Sequence, residues 1–258
     1  MSRNCDGADD KIQRDSTPVT AYPLTIACWF KADGTVGGTL VSITYRGSGV
    51  GVDANWFRLS ANGGADAPVS MDVNATGGGL NFQNAASSTN YAPLKWHFAA
   101  GVFTSTTSRD VYLDGGSKGS NTTLTPLEPQ SIDTVAAGLL ARALNDQDFA
   151  GKLAYVQIFN RALDVNEINQ IMRIPGSVPR GLVLFWNFLG GSPEPDYSGN
   201  GNSGTVTGAT VSADNPPING MFLPRRFSRN SYVVPATPAQ VAAVVGKKPS
   251  RNLLGVGL

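Results

Sequence analysis

The sequence is short of the groups on which most catalysis depends. It has three glutamates (Glu128, Glu167 and Glu194), one histidine (His97) and two cysteines (Cys5 and Cys28). Glycoside hydrolysis needs two carboxylates, about 5 to 5.5 Å apart for retention and wider for inversion. Glu128 and Glu194 lie beside prolines in loops, and Glu167 stands three residues after Asp164, where it completes a helix cap. No strand carries two acids on one face, so the chain reads as a non-enzyme. A Ser-His-Asp or Cys-His site would have to use His97. That residue follows Trp96 in an extended apolar segment, and a structural role fits it. No Cys or His pair has zinc-ligand spacing. The cysteines can form at most one bridge, and in strand-like segments they read as buried free thiols. Gly47 to Gly51 lacks the lysine and following helix of a phosphate loop, so it reads as a plain loop.

Charge is also scarce, at 15% of residues. No run of about 18 apolar residues occurs, which excludes a membrane-spanning helix. The first ten residues are polar and lack the apolar core of a signal peptide. The expectation is a protein made and used inside a cell, or one released by a non-classical route.

What the sequence does have is glycine, serine, threonine and asparagine between short apolar runs. In Leu24 to Lys31, Ile26, Cys28 and Phe30 alternate with Ala27 and Trp29. Trp96 to Phe103 alternates in the same way. Val69 to Val73 reads as a half-exposed strand, and Gly77 to Gly79 and Ala85 to Asn90 as loops. Val111 to Lys118 is a hairpin, with Asp114-Gly115 supplying the positive φ angles of a primed turn. Further strands are expected at 4–14 (interrupted by Asp6-Gly7), 39–45, 56–59, 181–188 and 205–211, and Thr134 to Leu140 leads into the stretch that follows. The stretch Phe149 to Met172 reads as a central strand followed by a short helix. In the strand, Leu153, Tyr155 and Gln157 are set against Ala154, Val156 and Ile158. Asp164 and Glu167 form a capping box for the helix, and Ile168, Ile171 and Met172 share one face. Many short strands with turn-rich joints predict an all-β, two-sheet antiparallel jelly-roll sandwich over residues 1–218.

Residues 219–258 read as an extended arm. It carries six basic residues (Arg225, Arg226, Arg229, Lys247, Lys248 and Arg251) and no acid, leaving 14 basic and 19 acidic residues on the body, a net charge of −5. The basic residues form no dense run with aromatics, so nucleic acid is not assigned as a partner, and an acidic protein surface suits the arm at least as well. A short helix is predicted near 238–245, capped by Thr237 and Gln240 and stopped by Gly246, with Val241, Val244 and Val245 as its stripe. A helix so short needs a surface to dock on.

Together these phrases resemble the laminin-G-like jelly-roll group of the concanavalin A-like lectin/glucanase superfamily. Asn4 to Asp10 is similar to the family's opening phrase, Leu24 to Lys31 to its second strand, and Lys95 to Val102 to its Trp-His strand. Val111 to Gly115 matches the Tyr-x-Asp-Gly hairpin, and Phe149 to Ile168 resembles the closing phrase, including Asn160 to Leu163. Asp196 to Thr205 resembles a phrase that more often precedes the domain. Here it follows, which predicts a terminal strand joining the same sandwich in permuted order. The resemblance implies a structural calcium site. Ala154-Tyr155 stands where the family's closing strand often carries acidic ligands, so no cofactor is assigned.

A fold of this kind hosts lectins, glycosidases and structural modules alike. The leading expectation is a non-catalytic accessory protein on a virus or phage particle, such as a capsid decoration or fibre component. It would be made in the host cytoplasm, displayed on the virion surface and held by its arm to a capsid or to neighbouring copies. A glycan-binding lectin or adhesin is the alternative, with Trp56, Tyr45 and Tyr91 as aromatic platforms for a cell-surface sugar. Asp196 and Asn200 are read as turn-fixing residues.

Overall fold

The computed structural model describes residues 1–34, 37–46, 55–64, 67–74, 83–125, 132–141 and 147–220. In chain order its elements are β1 Ser2–Asp6, β2 Lys11–Arg14, β3 Leu24–Ala32, β4 Gly38–Thr44, β5 Trp56–Ala61, β6 Val69–Asn74, β7 Gln83–Ala86 and β8 His97–Ser105. They continue with β9 Ser108–Leu113, β10 Gly116–Asn121, β11 Thr134–Ala137, β12 Ala150–Phe159, helix α1 Val165–Arg173, β13 Leu182–Trp186, β14 Thr205–Thr207 and β15 Thr210–Ser212. The first sheet runs β10-β9-β8-β3-β12-β1-β15, with β13 also paired to β12. The second runs β14-β2-β11-β4-β5-β6-β7. The predicted two-sheet sandwich is therefore present. No helix among the described residues is long and apolar enough to cross a membrane. The expected arm helix and the arm's basic residues lie outside the described residues, as do Glu128 and the glycine loops at 47–51 and 77–79.

The core follows from period-two alternation. Ile26, Cys28 and Phe30 of β3 meet Phe57 and Leu59 of β5 and Val69, Met71 and Val73 of β6 between the sheets. The opposite face of β3, Ala27 and Trp29, joins Phe98, Ala100 and Val102 of β8 beneath α1. Asp164 caps α1 as predicted. Its carboxylate accepts from the backbone of Asn166 and Glu167, and Glu167 accepts in return from Asp164 N. Asp164→Ala is expected to lower stability by about 1 kcal/mol, readable as a shift in the urea midpoint at constant slope. Cys5 and Cys28 are buried free thiols, and burial pushes the Cys5 thiol up to about 12, which leaves it inert near neutral pH.

Four expectations about the strands need correction. In β12 the side chains do not alternate throughout. Leu153 joins Val156 and Ile158 in the inter-sheet core, whereas Ala154, Tyr155 and Phe159 face the helix. Tyr155 has φ 52° and sits where the β3 pairing slips between Ala154 and Gln157. The bulge lets one strand pair β1 through its first half and β13 through its second. Second, β6 is not half exposed, because Ser70, Asp72 and Asn74 on its outer face are buried as well. Third, β7 is an edge strand over the start of the segment expected to be a loop. Its residues lack the alternation that would have shown it.

Residues 205–211 form two strands, not one. Gly208 (φ 68°) turns the chain, and a Cβ there would lie 1.7 Å from Asp10 Oδ1. β14 then pairs β2 in the second sheet and β15 pairs β1 in the first. The expected permuted strand is thus a clasp across both sheets.

Candidate functional site

The two outer faces differ in chemistry. That of the first sheet is apolar and covered by α1, with Ile168 and Ile171 buried against it and Trp29 Nε1 donating to Met172 O at 3.1 Å. That of the second sheet is polar along β5 and β6. Alternation puts Phe57, Leu59, Met71 and Val73 inward, so Trp56, Arg58, Ser60, Ser70, Asp72 and Asn74 are left on the outer side. The register sets them opposite one another as Trp56–Asn74, Arg58–Asp72 and Ser60–Ser70.

A hydrogen-bonded ladder results. Arg58 Nε and Nη2 both reach Asp72 Oδ2, at 2.7 and 2.5 Å, and Nη1 donates to Gln147 Oε1. The Ser60 and Ser70 hydroxyls lie 2.9 Å apart, Ser60 also donates to Asp72 Oδ2, and Ser70 donates to Asn62 Oδ1 at 2.9 Å. Gln147 is held at φ 54° while its backbone carbonyl accepts from Thr39 N. Burial raises the Asp72 carboxyl above its usual range, against the pull of Arg58. A cavity of about 290 Å³ borders the ladder, lined by Gly37, Gly38, Arg58, Ser60, Asn62 and Gln147 among others.

Of the aromatic residues expected to form platforms, Trp56 lies on this face at the start of β5, 7% exposed. Tyr45 follows β4 nearby, half-buried, with its N donating to Asn55 O. Tyr91 is 2% exposed and presents no ring face to solvent. Its ring packs edge-on against Phe30, and its hydroxyl donates to Asn62 O at 2.6 Å. Tyr91 thus holds Asn62 from below. Arg58, Ser60, Asn62, Asp72 and Gln147 were not singled out from sequence. The signal available was the run of polar residues at alternate positions of two adjacent strands.

The other singled-out groups have structural partners. His97 bonds Asp114 Oδ2 at 2.8 Å and the backbone of Ala92, tying β8 to the Asp114-Gly115 turn. Both turn residues have positive φ, 54° and 73°, as predicted. Asp196 accepts from Phe185 N, Ser198 N, Ser198 Oγ and Asn202 N, and Asn200 donates to Leu182 O, so both fix the turn. Asp6, Asp9 and Asp10 bring carboxylate oxygens within 4.8 Å of one another at the β1–β2 turn. They are hard oxygen donors of the kind calcium takes. Asp6 already accepts from Ala8 N, however, and Asp10 from Asp6 N, which the turn itself explains.

The chain segment after β15 is fastened to the first sheet. The Asp214 carboxylate accepts from Lys31 Nζ and Trp96 Nε1, both at 2.8 Å, its carbonyl accepts from Ser2 Oγ, and Asn219 N donates to Arg173 O. The Lys31 bond first, then that of Trp96, holds the Asp214 carboxyl below the usual range. A depressed folded value contributes stability above the unfolded pKa that is lost as pH falls through the folded one. Thermal midpoints measured against pH should therefore drop less steeply on the acid side in Asp214→Asn than in the parent.

Comparison with known proteins adds to this geometry. A family model described as concanavalin A-like lectin/glucanases superfamily matches residues 6–169. No match was found among curated proteins. A protein of Bacteroides ovatus proposed to bind carbohydrate superimposes with a TM-score of 0.60 at 19% identity, over 84% of this chain and 60% of its own. A heptameric pentraxin of Limulus polyphemus gives 0.55 at 16%, over 70% of this chain and 85% of its own. Domain 4 of an extracellular arabinanase of Geobacillus stearothermophilus, solved in complex with arabinotriose, gives 0.50 at 15%, over 66% and 75%. At these identities the likeness is one of fold.

Proposed function

The chain belongs to the concanavalin A-like lectin/glucanases superfamily, and on that footing we propose that it is a non-catalytic module that binds glycan on the outer face of its second sheet. The observation that carries this reading is the cavity beside the polar ladder of β5 and β6, where the half-buried Asn62 and the exposed Gln147 join Arg58 and Ser60 in the lining. Sugar recognition uses convergent amides, hydroxyls and a charged group beside an aromatic ring, and Asn62, Gln147, Ser60, Arg58 and Trp56 are groups of those kinds. The arabinotriose complex and the Bacteroides protein are consistent with this use of the fold. The acids argue against hydrolysis. Glu194 is locked to Arg3 at 2.9 Å, and Glu167 accepts from Arg161 and Asp164 in the helix cap. On the β5–β6 ladder Asp72 is the one carboxylate among the described residues, without the second that glycosidases need.

A glycan array with the intact protein tests this. Binding to at least one saccharide is expected, and Asn62→Ala, which removes a half-buried amide from the cavity lining, should weaken it roughly tenfold or more. Silence across the array would overturn the reading.

We extend the proposal to how the module is carried. The basic arm 219–258 joins the body to a capsid or to neighbouring copies on a virion surface, or to a partner outside the cell after non-classical release. The fastened segment around Asp214 favours such a tether, because it fixes the point from which the arm leaves. Truncation after residue 218 should leave a folded body that no longer associates with the particle. Association at full affinity would rule the tether out.

A further inference from the structure

We infer that Asn62 and Gly63, just after β5, form a self-modifying site at which the asparagine converts to aspartate and isoaspartate. The step is intramolecular. The Gly63 backbone nitrogen gives up its proton and attacks Asn62 Cγ. A Cγ–N bond forms, the Cγ–Nδ2 bond breaks, and ammonia leaves with the proton. Water then opens the succinimide ring at either carbonyl, and nothing is oxidised or reduced. Any Asn-Gly pair is open to this chemistry, because glycine has no Cβ to crowd the ring. The sequence has three such pairs, at Asn62, Asn200 and Asn219.

The fold favours Asn62 among them. Ser70 Oγ donates to Asn62 Oδ1 at 2.9 Å, on the oxygen where negative charge develops during the attack. The Tyr91 hydroxyl donates to the Asn62 backbone carbonyl at 2.6 Å. That bond draws electron density from the Asn62–Gly63 peptide and makes the Gly63 N–H more acidic. The nucleophile is open: Gly63 is exposed, and its N–H has no hydrogen bond among the described residues. Gly37 leaves it bare, since a Cβ there would lie 2.2 Å from Gly63 N. The leaving group is loose, because Asn62 Nδ2 meets no acceptor among the described residues. Asn200 is the reverse case. It is exposed, but its Nδ2 donates to Leu182 O, Val183 O and Ser198 Oγ at 3.1, 3.4 and 3.0 Å, so the fold holds the group that must leave. Asn219 is exposed, and its side chain has no hydrogen bond among the described residues, which makes it the unassisted reference. Conversion at Asn62 puts a carboxylate on the lining of the cavity that Arg58 shares, and isoaspartate also lengthens the loop's backbone by a methylene. The charge of this face then changes with the age of the protein, without a modifying enzyme. The inference is independent of the glycan reading, and silence on the array leaves it untouched.

The test is peptide mapping by mass spectrometry of the folded full chain held in mildly alkaline buffer, with all three sites read in one sample. Asn62 is expected to convert faster than Asn219, and faster than Asn200 by roughly tenfold or more. In urea strong enough to unfold the chain the three rates should converge, because the contacts are gone. Slower conversion at Asn62 than at either reference in the folded protein would overturn the inference. Ser70→Ala and Tyr91→Phe each remove one donor and should slow Asn62, with Asn219 in the same molecule unchanged. A merely loosened loop would speed Asn62 instead, so an unchanged or raised rate in both variants would also overturn it. The comparison of the three sites in the unaltered chain needs neither variant.

Discussion

Glu194→Ala is expected to destabilise the body by about 3–5 kcal/mol, because it removes one partner of a buried ion pair and strands the other. Glu194 is 0% exposed and Arg3 4%. Arg3 Nε and Nη2 donate to Glu194 Oε2 at 3.2 and 2.9 Å, and the guanidinium also donates to Ala209 O and Gly191 O. Leu189 N donates to Glu194 Oε1. The pair holds the first strand, the turn before Glu194 and the clasp of β14 and β15 together. Burial raises the Glu194 carboxyl above its usual range, ahead of the opposing bonds from Arg3. A raised folded value contributes stability that is full below the unfolded pKa and lost as pH rises through the folded one. Desolvation therefore outweighs attraction in this pair, and an apolar replacement of both partners should recover most of the loss. The checks are urea midpoints for Glu194→Ala, Arg3→Met and the Arg3→Met/Glu194→Leu double variant. The double variant should lie closer to the parent than either single one and lack the pH-dependent decline.

The pair also shows where reading a sequence stops. Glu194 looked like a loop acid between two prolines because its partner lies 191 residues away. Nothing local marks either residue. Arg58 and Asp72 are only 14 apart, but their meeting is a matter of strand register, which a single sequence leaves open. What was legible had local causes. Asp164 and Glu167 cap the helix through bonds spanning three residues, Asp114-Gly115 makes its turn through two positive φ angles, and β3 and β8 sort their faces by strict alternation. The same logic failed at Tyr155, since one residue in the left-handed region shifts every later side chain to the other face, and no composition signal announces a bulge. Tyr91 was picked out for its ring, while its use is the hydroxyl that holds Asn62. The polar ladder was visible only as alternate polar residues in two strands, and its burial depends on what covers it.

Trp186→Ala should cost a further large amount, about 3–5 kcal/mol, through the lost ring and the cavity left behind. The side chain is 0% exposed and belongs to the inter-sheet core. Its Nε1 donates to Asn202 O at 2.8 Å, and its own strand pairs Val156 just past the β12 bulge. The turn that carries Asn202 is held by Asp196, which accepts from Phe185 N beside the tryptophan. Gly204 then packs so closely on this ring that a Cβ would lie 2.8 Å from Cζ2 and 2.7 Å from Ile12 Cγ2. The indole is thus the floor on which the turn-rich phrase from Asp196 to Gly204 is laid before β14 enters the second sheet. Loss of the ring should loosen that phrase ahead of the rest of the sandwich, visible as faster amide exchange at Glu194 and Gly204, which bond each other's backbone. Gly204→Ala tests the same contact from the other side. Its extra methyl overpacks the site and should cost about 1–3 kcal/mol. If both variants unfolded at the parent's midpoint, the C-terminal clasp would be independent of the core, and the role given to Trp186 would be wrong.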